Sequence, residues 1–183
     1  LAGFSDRYLI RVPSGWTQET SGKDTENDAW EWFKSEYPGI ANHLQEFQDD
    51  ASSRYDRGEC WWELRPCDYY DQFDSRKIVY PEISDGPRFS LDLDSRYTNN
   101  KCYIIPVEDY RLVGILNSAL GEFWAENKLS SVRGGYLEYR TVHLSEFPVA
   151  GSGETGLEER VREIIEYIAS HRELNRSLLD HLG

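Results

Sequence analysis

The sequence predicts an α+β fold: a short-stranded, mixed but largely antiparallel sheet with flanking helices, plus a long C-terminal helix. Three observations carry this. Short extended runs between residues 60 and 105 are bounded by Pro, Gly, Asp and Asn, as strands and their turns are. From Asp109 to Lys128 apolar residues recur at helical spacing. The same spacing runs from Leu157 to Leu182, a helix of about seven turns.

In chain order, Tyr8 to Val12 reads as a short strand stopped by Pro13-Ser14-Gly15. The polar run 17–28 reads as a loop. Helix is expected over Ala29 to Phe33 and again from Tyr37 to Ser52, where Pro38 suits a first turn and Ile40, Leu44 and Phe47 share a face. Arg57-Gly58 breaks the pattern. Strands follow at Cys60 to Arg65, Lys77 to Ile83, Phe89 to Leu93 and Cys102 to Ile105. The helix from Asp109 to Lys128 carries Leu112, Ile115, Leu116, Leu120, Phe123 and Trp124 on its apolar stripe. Ser130 to Gly135 is a loop, Tyr136 to Arg140 a strand, and Leu144 to Val149 an extended piece. Ala150 to Gly156 is a linker of small residues. The expected organisation is one domain over 1–150, a linker at 151–156 and a helix at 157–183.

A 39% hydrophobic content supports a real core, and 14% aromatic content assigns much of the packing to rings. No run of eighteen apolar residues offers a membrane span. Asp6 and Arg7 stand where a signal peptide would be apolar. A chain of 183 residues that starts with leucine and lacks methionine reads as part of a longer protein. Three cysteines without a CxxC pair argue against a disulfide framework or zinc ribbon and for free thiols in a reducing cytoplasm. The net charge is −13, with 20 basic against 33 acidic residues. Nucleic-acid binders usually present a basic face, so such a function needs the cations gathered on one side. Only five of those cations are lysine. A lysine-poor acidic surface also suits a salty cytoplasm, where screening blunts self-repulsion, and leads to an expectation of better stability in molar KCl than in dilute buffer.

The stretch WWELRPCDYYDQFDSRKIVYPEIS, Trp61 to Ser84, sets polar-tipped rings beside Arg65, Arg76 and Lys77. Such a mixture suits a surface that stacks and hydrogen-bonds, as nucleic-acid readers do. It also suits a half-buried sheet with its indole and hydroxyl groups satisfied locally. Further segments follow in order: ELRPCDYYDQF (63–73), KIVYPEIS (77–84), RFSLD (88–92), YTNNKCYIIP (97–106), LVGILNSAL (112–120), SVRGGYL (131–137) and SEFPV (145–149). Together they resemble the TaqI-like C-terminal specificity domain, strongest over residues 37–150. That domain is the target-recognition module of adenine-N6 DNA methyltransferases and fused restriction–modification enzymes.

The resemblance implies a double-stranded DNA partner and a methyltransferase domain in the same parent chain. S-adenosylmethionine would be the cofactor of that domain, with none held here. The chain lacks the Asn/Asp-Pro-Pro-aromatic tetrapeptide with which such methyltransferases grip the flipped base. The nuclease-like Glu126-Asn127-Lys128 has no Pro-Asp partner on a preceding strand. Neither methyl transfer nor cleavage is therefore expected of this segment itself. Gly151 to Gly156 matches GxGxxG, but a proline precedes it and no second strand follows, which favours a linker. The histidines His43, His143, His171 and His181 show no metal-ligand spacing.

The candidate DNA-binding residues are Arg133, Gly134, Gly135 and Tyr136 first, then Lys77, Arg88, Asn100 and Lys101. Arg65, Tyr69 and Tyr70 are framework or phosphate contacts. Arginine offers a planar fork that fits the guanine edge or a phosphate, and asparagine can bond adenine twice. Two glycines before Tyr136 allow a sharp turn. The bland alternatives are a helix-to-strand turn, with Arg133 paired to Glu122, Glu126 or Glu138, and an Asn-Asn turn at 99–100. In the last helix Leu157, Val161, Ile164, Ile168, Leu178 and Leu182 form a narrow seam through His171 and Asn175, suited to helix–helix packing across 157–182 with a partner elsewhere in the parent, or to a helix lying on its own domain. Two other functions fit the composition: a non-enzymatic protein-interaction module with an acidic aromatic surface, and carbohydrate binding on an exposed row of Trp and Tyr rings.

Overall fold

The computed structural model describes residues 7–132, 134–149 and 156–182, with side chains in the last helix placed through residue 168 and at residue 170. The described residues divide into two compact units, one up to Tyr70 and the other from Asp71 onward.

The first unit is helical. It contains α1 (Trp16–Ser21), α2 (Glu26–Glu36), α3 (Pro38–Gln45) and α4 (Gln48–Ser53). Thr25 caps α2 by accepting from the Asp28 N–H, as a good N-cap residue does. Pro38 begins α3 where its missing N–H costs nothing. The core is aromatic: the ring of Trp30 stacks on Phe33 and lies 4.7 and 4.8 Å from Trp61 and Trp62. Two expected strands are absent. Residues 8–12 are extended but unpaired as a strand, contributing one backbone bond from Leu64 N–H to the Val12 carbonyl. Residues 60–65 turn instead, with Glu63 N–H reaching back to the Cys60 carbonyl. The reason is Glu63. Its buried carboxylate accepts N–H bonds from Gly15, Thr17 and Cys60 at 2.9, 3.0 and 3.1 Å, and a straight strand would carry it away from them. Arg54 adds bonds to the Trp61 and Glu63 carbonyls.

The second unit holds two three-stranded antiparallel sheets. One has β1 (Lys77–Pro81) between β3 (Ser90–Asp92) and β4 (Cys102–Ile105). The other has β6 (Tyr136–Glu138) between β2 (Ile83–Ser84) and β5 (Ser130–Val132). The single expected strand over Lys77 to Ile83 is thus divided: its last residue, Ile83, already belongs to the other sheet. Glu82 sits at that crossing. Its N–H donates to the Lys101 carbonyl at the start of β4, and its carbonyl accepts from Tyr139 N–H at the end of β6.

The expected helix over 109–128 is also divided, into α5 (Tyr110–Leu116) and α6 (Ala119–Lys128). Asn117 turns its side chain to the Phe89 backbone, and Ser118 caps α6 through the Gly121 N–H. Gly121 allows the close approach, since a Cβ there would collide with the Leu116 carbonyl. Of the extended piece expected at 144–149, residues 144–146 belong instead to a short helix α7 (Thr141–Leu144) and the turn after it, while residues 147–149 lie in no helix or turn. The last helix, α8 (Gly156–Leu182), packs its first turns on α5. Gly114 faces Val161 so closely that a Cβ would overlap its methyl group, Ile165 joins the core, and the Arg162 guanidinium lies 4.0 Å from the Tyr110 ring centroid.

Candidate functional site

The hairpin β5–β6 is closed by a three-residue turn, because Val132 pairs with Tyr136. Gly134 and Gly135 hold φ of +89° and +82° in that turn, a conformation that favours glycine over any residue with a Cβ. Tyr136 follows on β6 with its ring exposed, while Leu137 beside it is buried in the core. Alternation along a strand explains both. Arg133, first among the expected readers, lies outside the described residues.

Next to this hairpin lies the seam where the two sheets meet. Ile83 is in register with Glu138, so Glu82 and Glu138 come close along the chain crossing. Lys101 Nζ lies 3.3 Å from Glu82 Oε2, and the Arg140 guanidinium 2.8 Å from Glu138 Oε1. The Glu138 carboxylate and, further off, Tyr103 and Glu82 favour the charged form of Arg140. Arg88 reaches Asp85 with two nitrogens, at 2.9 and 2.7 Å. That contact holds the Asp85 carboxyl below its usual range. Asn100 is exposed in a turn built by its neighbour: Asn99 Oδ1 accepts from Lys101 N–H, and the Asn99 carbonyl from Cys102 N–H.

Lys77 is placed otherwise than expected. Its side chain is 0% exposed and its ammonium donates to the Phe73 and Ser75 carbonyls and to Asp92 Oδ2, at 2.8, 3.2 and 2.6 Å. All three donors of the ammonium are used inside the protein, so Lys77 is a framework cation that pins residues 73–75 to strand β3. Five cations of this unit are paired: Arg76, Arg88, Arg96, Lys101 and Arg140 each meet a carboxylate.

Arg65, Tyr69 and Tyr70 belong to the other unit. Arg65 and Tyr69 are exposed; Tyr70 donates to the Arg65 carbonyl at 3.2 Å and lies under the Arg11 guanidinium. Burial raises the Tyr70 phenol above its ordinary range. The neighbouring Trp61 and Trp62 are core residues, and Trp62 spends its indole N–H on Thr17 Oγ1. All six tryptophans are buried or half-buried, so no tryptophan platform faces solvent for a sugar. Sequence reasoning missed Glu82, Glu138 and Arg140 as a cluster. The clue available was the opposite charges two positions apart in Glu138-Tyr139-Arg140, which share a face on an extended chain.

Among the described residues no group of three or more His, Cys, Asp or Glu is arranged to hold a metal ion, and no helix is long and apolar enough to cross a membrane. His43 packs its ring edge on Phe47. The side chains of His171, Asn175, Leu178, His181 and Leu182, like the glycines before Gly156, lie outside the described residues.

A family model described as the TaqI-like C-terminal specificity domain matches residues 3–149 of this chain. No curated protein matches it.

Proposed function

Since the chain belongs to the family of TaqI-like C-terminal specificity domains, we propose that it is a sequence-specific DNA recognition module which selects the target of a linked adenine-N6 DNA methyltransferase. The family match carries this reading, because it runs through the hairpin and the seam alike. The module reads base edges, chiefly in the major groove, where each base pair has its own donor and acceptor pattern. The linked domain extrudes the adenine and transfers the methyl group from S-adenosylmethionine.

The glycine turn supports a reading role for its surroundings. Two residues without Cβ let the hairpin approach a groove closely, and Tyr136 beside them has a free face for stacking. Arg133 reads a guanine edge by virtue of its planar fork. Arg88, Asn100 and Lys101 contact bases or phosphates from neighbouring loops. Arg65, Tyr69 and Tyr70 position the backbone. Helix α8 exposes Ile164, Tyr167 and Ile168 beyond its contact with α5, which supports packing on a helix elsewhere in the parent.

The test is to map methylated adenines made by the full-length parent, and then by its Arg133→Ala and Tyr136→Ala variants. Relaxed or lost site choice with the fold retained is expected. A parent without adenine methylation would overturn the reading, and an unchanged pattern in both variants would remove the hairpin from it.

A further inference from the structure

At the seam the acids and the cations are unequally exposed. The side chains of Glu82 and Glu138 are 21% and 18% exposed, whereas those of Lys101 and Arg140 are 70% and 57% exposed. The carboxylates are the less exposed partners and stand on a bonded backbone. Glu82 has its backbone bound on both sides, to Lys101 and Tyr139, and Glu138 sits in register with Ile83. The backbones of Lys101 and Arg140 are bonded as well, but their charged heads stand at the ends of longer, more exposed side chains and can swing outward. A phosphate arriving from solvent competes for each ammonium or guanidinium, and it wins only by leaving a half-buried carboxylate without its partner. On a random duplex that cost must be met by phosphate contacts alone, which carry no sequence information.

We infer that Glu82 and Glu138 are specificity-determining residues which hold Lys101 and Arg140 back from non-specific phosphate contacts and release them only when base contacts add to the binding. This rests on the DNA-recognition reading above. The two acids touch no DNA themselves; they act through the cations and are positioning residues. Binding then has two tiers. On random duplex the pairs stay closed and affinity is low. On the target sequence, base contacts offset the opening of the pairs and the freed cations add phosphate contacts.

The experiment compares the 183-residue chain with its Glu82→Gln, Glu138→Gln and double variants. Fluorescence anisotropy with random-sequence duplex is run over a range of salt, alongside duplex carrying the target mapped from the parent. Each neutralised pair should tighten random-duplex binding by about three- to fivefold, the reach of an exposed ion pair, and narrow the ratio of target to random affinity. The salt slope on random duplex should steepen by up to about one for each cation released. Glu138→Asp, which keeps the charge, should restore the wild-type ratio, an outcome that a purely structural role for Glu138 does not require. Equal random-duplex affinity and slope in wild type and double variant, with circular dichroism unchanged, overturns the inference while leaving DNA recognition standing. Failure of every form to bind any duplex at low salt overturns the recognition reading and this inference with it.

Discussion

Replacing Lys77 by methionine separates a framework cation from a DNA reader. Methionine keeps much of the volume and removes the charge. In the folded protein it strips Asp92, itself 1% exposed, of its buried counter-ion at 2.6 Å. Asp92 retains the N–H groups of Asp94 and Arg96, at 3.2 and 2.8 Å, and the Arg96 guanidinium at 3.7 Å. The Phe73 and Ser75 carbonyls lose their donor. Breaking a buried pair on one side costs about 3–5 kcal/mol. Because Arg96 is half-exposed and stays near the carboxylate, the lower end, about 3 kcal/mol, is expected. Against a total stability of ~5–15 kcal/mol for a natural protein, this is a large share. The assay is urea denaturation of wild type and Lys77→Met, followed by methylation mapping with the variant parent below its unfolding transition. A stability loss of about 3 kcal/mol with unchanged site choice is the expected pair of results. A loss below about 1 kcal/mol together with altered site choice would refute the placement of this ammonium in the interior.

Two further outcomes follow from the packing. Gly114→Val puts methyl groups where Val161 already lies, so α8 should lift from α5 at a cost of about 1–3 kcal/mol. Limited proteolysis within residues 157–168 should accelerate, and unchanged protection would contradict the contact. At alkaline pH, burial pushes the Cys60 thiol and the Tyr139 phenol each up to about 12, from ordinary values of 9 and 10. The unfolded chain therefore gives up these protons first. The stability they contribute is complete below about pH 9 and is lost as pH rises towards about 12. Urea midpoints should fall over that window. Tyr139→Phe should flatten its share of the fall, because it removes the buried phenol beside Ser84 that titrates there; a slope unchanged in that variant would count against the burial of this phenol.

The parts of the fold legible in the sequence were those set by local chemistry. Cys102–Ile105 is a strand with the bounds its β-branched run indicated, and Pro38 starts a helix as its ring dictates. The last helix keeps its spacing from Gly156 onward. What was not legible depends on distant partners. Nothing within residues 60–65 announces that Glu63 will be enclosed by the N–H groups of Gly15 and Thr17, more than forty positions away. The two tryptophans before it have the same composition as a stacking platform and become the centre of a core instead. Lys77 failed as a reader for a related reason: a lysine opening a strand is exposed by default, and only the fold of residues 92–96 reveals its carboxylate. The division at Asn117-Ser118 was available locally, since Ser118 is a good N-cap, but a continuous apolar stripe from Leu112 to Trp124 outweighed it.

The acid surplus looks at first like evidence against a DNA-binding surface. Its weight depends on where the acids stand. A carboxylate far from the cations repels the duplex at a distance and is screened within about 10 Å at ordinary salt. A carboxylate paired with a cation at 3 Å instead removes that cation from the early encounter and returns it later, when the complex can meet the cost. Glu82 and Glu138 are of the second kind. A surface of open cations binds every duplex well and must find its target against a large background of competing sites. Closed pairs lower affinity for the background more than for the target, because docking on the target bases itself opens them, whereas on the background phosphates alone must do so. On such a surface discrimination rises as net charge falls, so neutralising the acids should strengthen binding and weaken choice at the same time.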